Sequence, residues 1–139
     1  MLTATGFSEA RSQLSRLFDE AIEELRPVLI RRKGREDALL LRRENLEALL
    51  EPFTLRAQVI REDDGSVTIA VDELEWAVNA PPRDAATREL VQDLRRYAED
   101  YLARAQVFLR APNRRVHFPY VLRILLAETD EQVRRMLNL

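Results

Sequence analysis

At 139 residues, 46% hydrophobic and with a formal charge of −2, the chain has room for one ordinary core or two small ones, and any nucleic-acid binding has to come from local basic patches. It contains no cysteine, which excludes disulfides and thiolate chemistry and suits a reducing cytoplasm. No basic and apolar leader opens it, and its longest apolar runs, such as Ile124–Ala127, fall far short of the ~20 residues a bilayer span needs, so we expect a cytoplasmic protein with no membrane partner.

Leu2-Thr3-Ala4-Thr5 reads as a short strand. Gly6 and Phe7 lead to Ser8, whose hydroxyl can accept a hydrogen bond from an orphan helix amide and so serve as an N-cap. Ala10, Leu14, Leu17, Phe18, Ala21, Ile22 and Leu25 then recur at steps of three and four, which predicts one continuous amphipathic helix. Pro27 ends it, because proline has no N–H to donate and restrains the residue before it. Arg11 lies in the first turn, where a cation works against the helix dipole, so helix stability does not account for it. Arg16 shares its polar arc.

Val28-Leu29-Ile30 and Ala38-Leu39-Leu40-Leu41 are apolar at consecutive positions, so both faces of the hairpin they form are greasy. One helix covers one face. The simplest cover for the other is a second copy of the chain, and we expect an obligate homodimer, or a higher oligomer, whose shared core holds Leu14, Phe18, Val28, Ile30, Leu39, Leu40 and Leu41. The connection Arg31-Arg32-Lys33-Gly34-Arg35 gathers positive charge at a turn, with Gly34 permitting a left-handed bend. A two-fold dimer presents this turn and the Arg11/Arg16 helix face twice, as a palindromic duplex requires. Arg43–Leu50 reads as a short helix stopped by Pro52.

In this order and spacing, Ser8-Glu9-Ala10-Arg11 with Leu14, Pro27-Val28-Leu29-Ile30 with Arg31-Arg32-Lys33-Gly34, and Glu44-Asn45-Leu46-Glu47-Ala48-Leu49-Leu50 resemble the Phd/YefM (prevent-host-death) antitoxins. The resemblance covers residues 1 to about 53. It implies a dimeric domain that binds double-stranded operator DNA and represses its own toxin–antitoxin operon. Arg11 and Arg32 are the implied DNA contacts, supported by Arg16, Arg31, Lys33 and Arg35. It also implies a toxin partner, RelE-like as the first expectation, with Doc-like and PIN-like toxins as alternatives. Two departures stand out: Arg42 replaces a small polar cap, and Leu46 replaces an aromatic. A second reading keeps the fold for dimerisation alone, as a protein-interaction module without an operator.

Residues 54–139 are organised differently, and we expect them to form a second, folded domain, making the whole an α+β protein. Gln58–Arg61 and Ser66–Val71 flank Asp64-Gly65, a strong hairpin signal, and Trp76-Ala77-Val78 predicts a third strand before Pro81-Pro82. Asp84 can cap a long helix whose apolar positions keep helical spacing from Leu90 to Leu109, until Pro112-Asn113 ends it. Pro119 opens another apolar helix through Ala127, and Thr129-Asp130-Glu131-Gln132 has capping-box spacing for a last one. Three strands followed by a long helix, over about residues 56–105, distantly resemble the degraded sheet of HicB-type antitoxins. The terminal helices are apolar enough to be this domain's core or its toxin-binding surface, with Tyr120, Leu137 and Leu139 as candidate contacts.

We expect no enzyme. His117 is the only histidine and, beside Phe118-Pro119, reads as a packed or turn-capping residue. The pairs Glu99/Asp100 and Asp130/Glu131 are adjacent on helices and so diverge. Metal-ligand spacing and glycine-rich phosphate loops are absent, and no cofactor is implied.

Overall fold

A computed structural model describes residues 1–139 and divides them between two units, Met1–Leu49 and Leu50–Leu139. The division falls earlier than the expected break after residue 53. Phe53 already packs in the second unit, its ring edge-to-face with Tyr120 at 5.8 Å and its carbonyl accepting from the Arg123 guanidinium at 2.7 Å.

In the first unit, β1 (Ala4–Gly6) runs parallel to β2 (Val28–Arg31), and β3 (Ala38–Leu40) pairs antiparallel on the other side of β2, with Leu29 opposite Leu39. The expected single helix is two: α1 (Phe7–Ser12) and α2 (Leu14–Ile22), broken at Gln13 with φ −120° and ψ 29°. The Ser12 hydroxyl donates back to the Glu9 carbonyl at 3.0 Å, a local bond that competes with the helical ladder and bends it. Ser8 is not the cap. The helix opens one residue earlier, at Phe7, behind an extended Gly6 that supplies no side-chain bond. Nor does Pro27 end α2: Leu25 turns left-handed (φ 60°) and the Arg26 N–H reaches the Glu20 carbonyl at 3.3 Å, closing the helix before the proline.

Ala10, Leu17, Ala21 and Val28 form this unit's buried core, with Ile30 and Leu40 packed against it. The helices thus cover one face of the sheet. On the other side of the same elements Leu14, Phe18 and Leu39 are 57%, 52% and 60% exposed. Among the expected shared-core residues only Val28 is fully buried within one chain. In α3 (Arg43–Leu50) the missing small cap is replaced by a tether: the Arg42 guanidinium donates to the Ile22 carbonyl at 3.0 Å and pairs with Glu44 at 2.6 Å.

The second unit opens with a three-stranded antiparallel sheet, β4 (Ala57–Arg61), β5 (Val67–Val71) and β6 (Trp76–Ala80), in that order. The β4–β5 loop is longer than Asp64-Gly65 alone suggests. Glu62 N–H bonds the Ser66 carbonyl and Gly65 N–H bonds Glu62, so three residues intervene, with Gly65 left-handed at φ 86° and the Asp64 carboxylate accepting from Ser66. A single 3₁₀ turn, Asp72–Leu74, followed by left-handed Glu75 (φ 53°), joins β5 to β6.

The long helix α4 (Arg83–Ala103) packs across β5 and β6. Its N-cap position is Pro82, so Asp84 sits inside the first turn, where a carboxylate favours the dipole without capping. The helical pattern to Leu109 is interrupted at Arg104 (φ −118°), and α5 (Ala105–Phe108) is a separate turn. Pro112 opens a helical turn, α6 (Pro112–Arg115), instead of closing one. α7 (Phe118–Leu126) follows as expected, and α8 (Asp130–Met136) carries the full capping box between Thr129 and Gln132. One core of 19 buried residues joins sheet, α4, α7 and α8.

His117 is 2% exposed and lies inside this unit. Arg114 donates to the Tyr97 hydroxyl at 3.3 Å, and that hydroxyl shares a hydrogen bond with His117 Nδ1 at 2.6 Å, while His117 Nε2 lies 3.7 Å from the Glu75 carboxylate. Burial, and then the Arg114 charge, lower the His117 pKa below its ordinary 6.5 against the opposing pull of Glu75. The unfolded chain therefore takes the proton first. The stability this neutral histidine contributes is complete above pH 6.5 and is lost as pH falls through the folded value, at a slope of at most about 1.4 kcal/mol per pH unit. Urea melts of wild type and His117→Gln between pH 7.5 and 5.5 should diverge, with wild type steeper (both pH values about one unit either side of the ordinary one). Equal slopes would remove His117 as the cause.

Candidate nucleic-acid interface

The β1–α1 junction and the β2–β3 turn bring Arg11, Arg31, Arg32 and Lys33 around one open basin, floored by Gly6, Phe7 and Ser8. α1 begins immediately after β1, which sets Arg11 one turn above the strand ends, and the left-handed Gly34 (φ 74°) folds the turn back beside it. The four cations are not equivalent. Arg31 is forked onto Asp37 by two bonds of 2.9 and 2.8 Å, which raises its own pKa and holds the Asp37 carboxyl below the usual carboxylate range. Its charge is largely spent within the hairpin. Arg32 stacks its guanidinium over the Phe7 ring at 4.4 Å, which fixes the planar fork while leaving its five N–H groups for an outside acceptor. Arg11 and Lys33 have no ion-pair partner.

Two of the expected DNA contacts stand outside this basin. Arg16 turns to Gln13 at 2.7 Å and Glu20 at 3.5 Å, and Arg35 does not line the basin although its N–H closes the turn onto the Arg32 carbonyl. Two participants escaped the sequence reading. Asp37 was legible as the residue facing Arg31 across a short hairpin, but Phe7, read only as a lead-in to the helix, gave no sign of being a platform for Arg32. Glu9 also lines the basin and tempers its positive charge.

Among the candidate toxin contacts, Leu137 is 1% exposed and completes the second unit's core, so it is unavailable to a partner. Tyr120 and Leu139 are half-buried against the same core. The exposed large apolar residues of this unit are Phe53, which packs against Tyr120, Val59 and Ile60 on β4, and Leu102, Val107 and Val116 around α5. No helix is long and apolar enough to cross a membrane.

A family model of antitoxins from RelE/RelB toxin–antitoxin systems, designated PHD-like, matches residues 1–139. The chain belongs to this antitoxin family. The match runs through both units, so the second half is part of the family pattern, whereas the Phd/YefM resemblance reached only residue 53. The antitoxin is also similar, at 26% identity and with a TM-score of 0.85, to a crystal structure from Syntrophomonas wolfei subsp. wolfei, described as an antitoxin part of a proposed toxin/antitoxin system. That likeness covers 98% of this chain and 96% of the other. No curated protein sequence matches the antitoxin.

Proposed function

We propose that this antitoxin binds its own operator DNA as a homodimer through the basic basin of the first unit, in the manner of Phd/YefM proteins, and neutralises a RelE-type toxin by direct binding. The observation that carries the DNA reading is the gathering of Arg11, Arg32 and Lys33 from two separate elements around one open basin in a chain that is acidic overall. Dimerisation is supported by the uncovered apolar side of the first unit, where Leu14, Phe18 and Leu39 are each more than half exposed. The family description, which pairs RelE with RelB, supports the toxin class.

Gel retardation on the chain's own upstream region tests the reading. Arg11→Ala should weaken specific binding by about 1–3 kcal/mol if the guanidinium reads a base edge. Lys33→Ala should weaken all sequences alike and reduce the salt slope by about one unit per protomer. Arg16→Ala, removing a cation already paired with Glu20, serves as the control and should leave affinity unchanged. Wild-type binding to its own promoter no tighter than to unrelated DNA at moderate salt would end the repressor reading.

A further inference from the structure

β4 is an edge strand, and four of its five residues are exposed. Because Glu62 and Ser66 are a hydrogen-bonded pair and such pairs alternate along an antiparallel ladder, Gln58 and Ile60 spend their backbone groups on β5. Ala57, Val59 and Arg61 therefore point their N–H and C=O groups outward. α4 packs on β5 and β6, which leaves Val59 on the helix side of β4 41% exposed and Ile60 on the opposite side 45% exposed. Unpaired backbone groups flanked by bare β-branched side chains form a template for another strand, and native edges are ordinarily blunted against it by proline, a bulge or an inward charge. Neither proline nor a bulge interrupts Ala57–Arg61, and its one charge on the helix side, Arg61, stands at the strand's last position.

We propose that β4 pairs with β4 of a second copy, antiparallel and two-fold symmetric about Val59, joining two three-stranded sheets into one. The charge pattern selects this occupant. Centred on Val59, the full length of both strands pairs, with the outward-pointing Ala57 meeting the partner's Arg61 position and Val59 meeting its own symmetry mate, so every free backbone group finds a complement. On the opposite face Gln58 lies beside the partner's Ile60 position, and the next residues out place Arg56 opposite Glu62, once at each end. Arg56 and Glu62 have no ion-pair partner within the chain. The register that saturates the backbone is thus also the one that matches opposite charges.

The inference is independent of the first-unit dimer and is read locally, by hydrogen exchange at the amides of Ala57, Val59 and Arg61 in the full chain. In a lone chain these amides face solvent and exchange freely however stable the fold. Paired, they should slow by at least about a hundredfold as concentration rises, while Gln58 and Ile60 stay protected throughout. Val59→Pro removes an edge-facing N–H without breaking the β4–β5 ladder, so it should leave the circular dichroism spectrum unchanged and abolish the protection of its neighbours. Arg56→Glu and Glu62→Arg should each weaken self-association about tenfold, whereas a mixture of the two, or the double swap, restores it. Leu39→Glu, which disrupts the dimer proposed above, should leave the β4 protection in place. Edge amides that exchange freely at the highest concentration, protection that ignores both charge reversals, or protection that appears only when a purified toxin is added would each overturn β4 self-pairing.

Discussion

Leu94→Ala should destabilise the second unit by about 2–5 kcal/mol. Leu94 is fully buried in the core shared by the sheet, α4, α7 and α8. Cutting its side chain to a methyl removes apolar contact and leaves a cavity, and the surroundings are poorly able to collapse into it. On either side along α4, Leu90 and Ala98 are equally buried, and Tyr97 is held by aromatic contacts to Trp76 at 5.4 Å and Tyr101 at 6.1 Å and by its bond to His117. Those ties fix the helix against movement toward the void, which places the cost in the upper half of that range. Urea unfolding followed through Trp76, the chain's single tryptophan, reports this unit directly. A loss under about 1 kcal/mol would mean that the core relaxes around the deletion.

Leu39→Glu should convert a concentration-dependent melt of the first unit into a low, concentration-independent one. This core holds only four fully buried residues, and three of them are Ala10, Ala21 and Val28, so the burial available to a lone copy is small. On the proposed dimer the Leu39 side of the sheet and the Leu14/Phe18 side of the helices supply the missing apolar area. A carboxylate in the middle of that surface is desolvated without a partner, at a cost of several kcal/mol, about 3–5 by analogy with other unpaired buried charges. Operator binding should fall with it, because two half-sites are no longer held together. Differential scanning calorimetry over a range of protein concentrations separates the cases: a wild-type transition that stays put on dilution removes the dimer.

How far these features were visible in the chain depends on whether a local rule or a contact decides them. The capping box of α8, the run of β5 and the stripe of α4 are set by residues a few positions apart, and they stand where spacing puts them. The helix breaks at Gln13 and Arg104 are invisible to periodicity, because the apolar stripe continues in phase across them. Leu25 as the residue that closes α2 runs against the usual preference for glycine in a left-handed position, so Pro27 took the credit. At the candidate interface the sequence marks which cations cluster, but not which are already engaged. Arg31 and Arg32 are neighbours of one type, yet one is locked onto a carboxylate and the other laid over a ring. That distinction depends on Asp37 and Phe7, which come close only once the hairpin and the first helix are folded. Leu137 shows the limit from the other side: its sequence position fits both a core residue and a partner contact, and it is interior.

The contrast between a core of four residues and one of 19 gives one polypeptide two separate lifetimes. Opening of the second unit has to expose its whole interior, so it is rare even in a lone copy. The first unit, on the proposed dimer, is held closed largely by its neighbour, so its open fraction grows as the molecules become scarce. On that dimer the half that carries the basic turn is intact at high concentration and frayed on dilution, while the other half is held chiefly by its own core. A protease that cuts only unfolded segments should therefore trim the first unit at low protein concentration before it reaches the second.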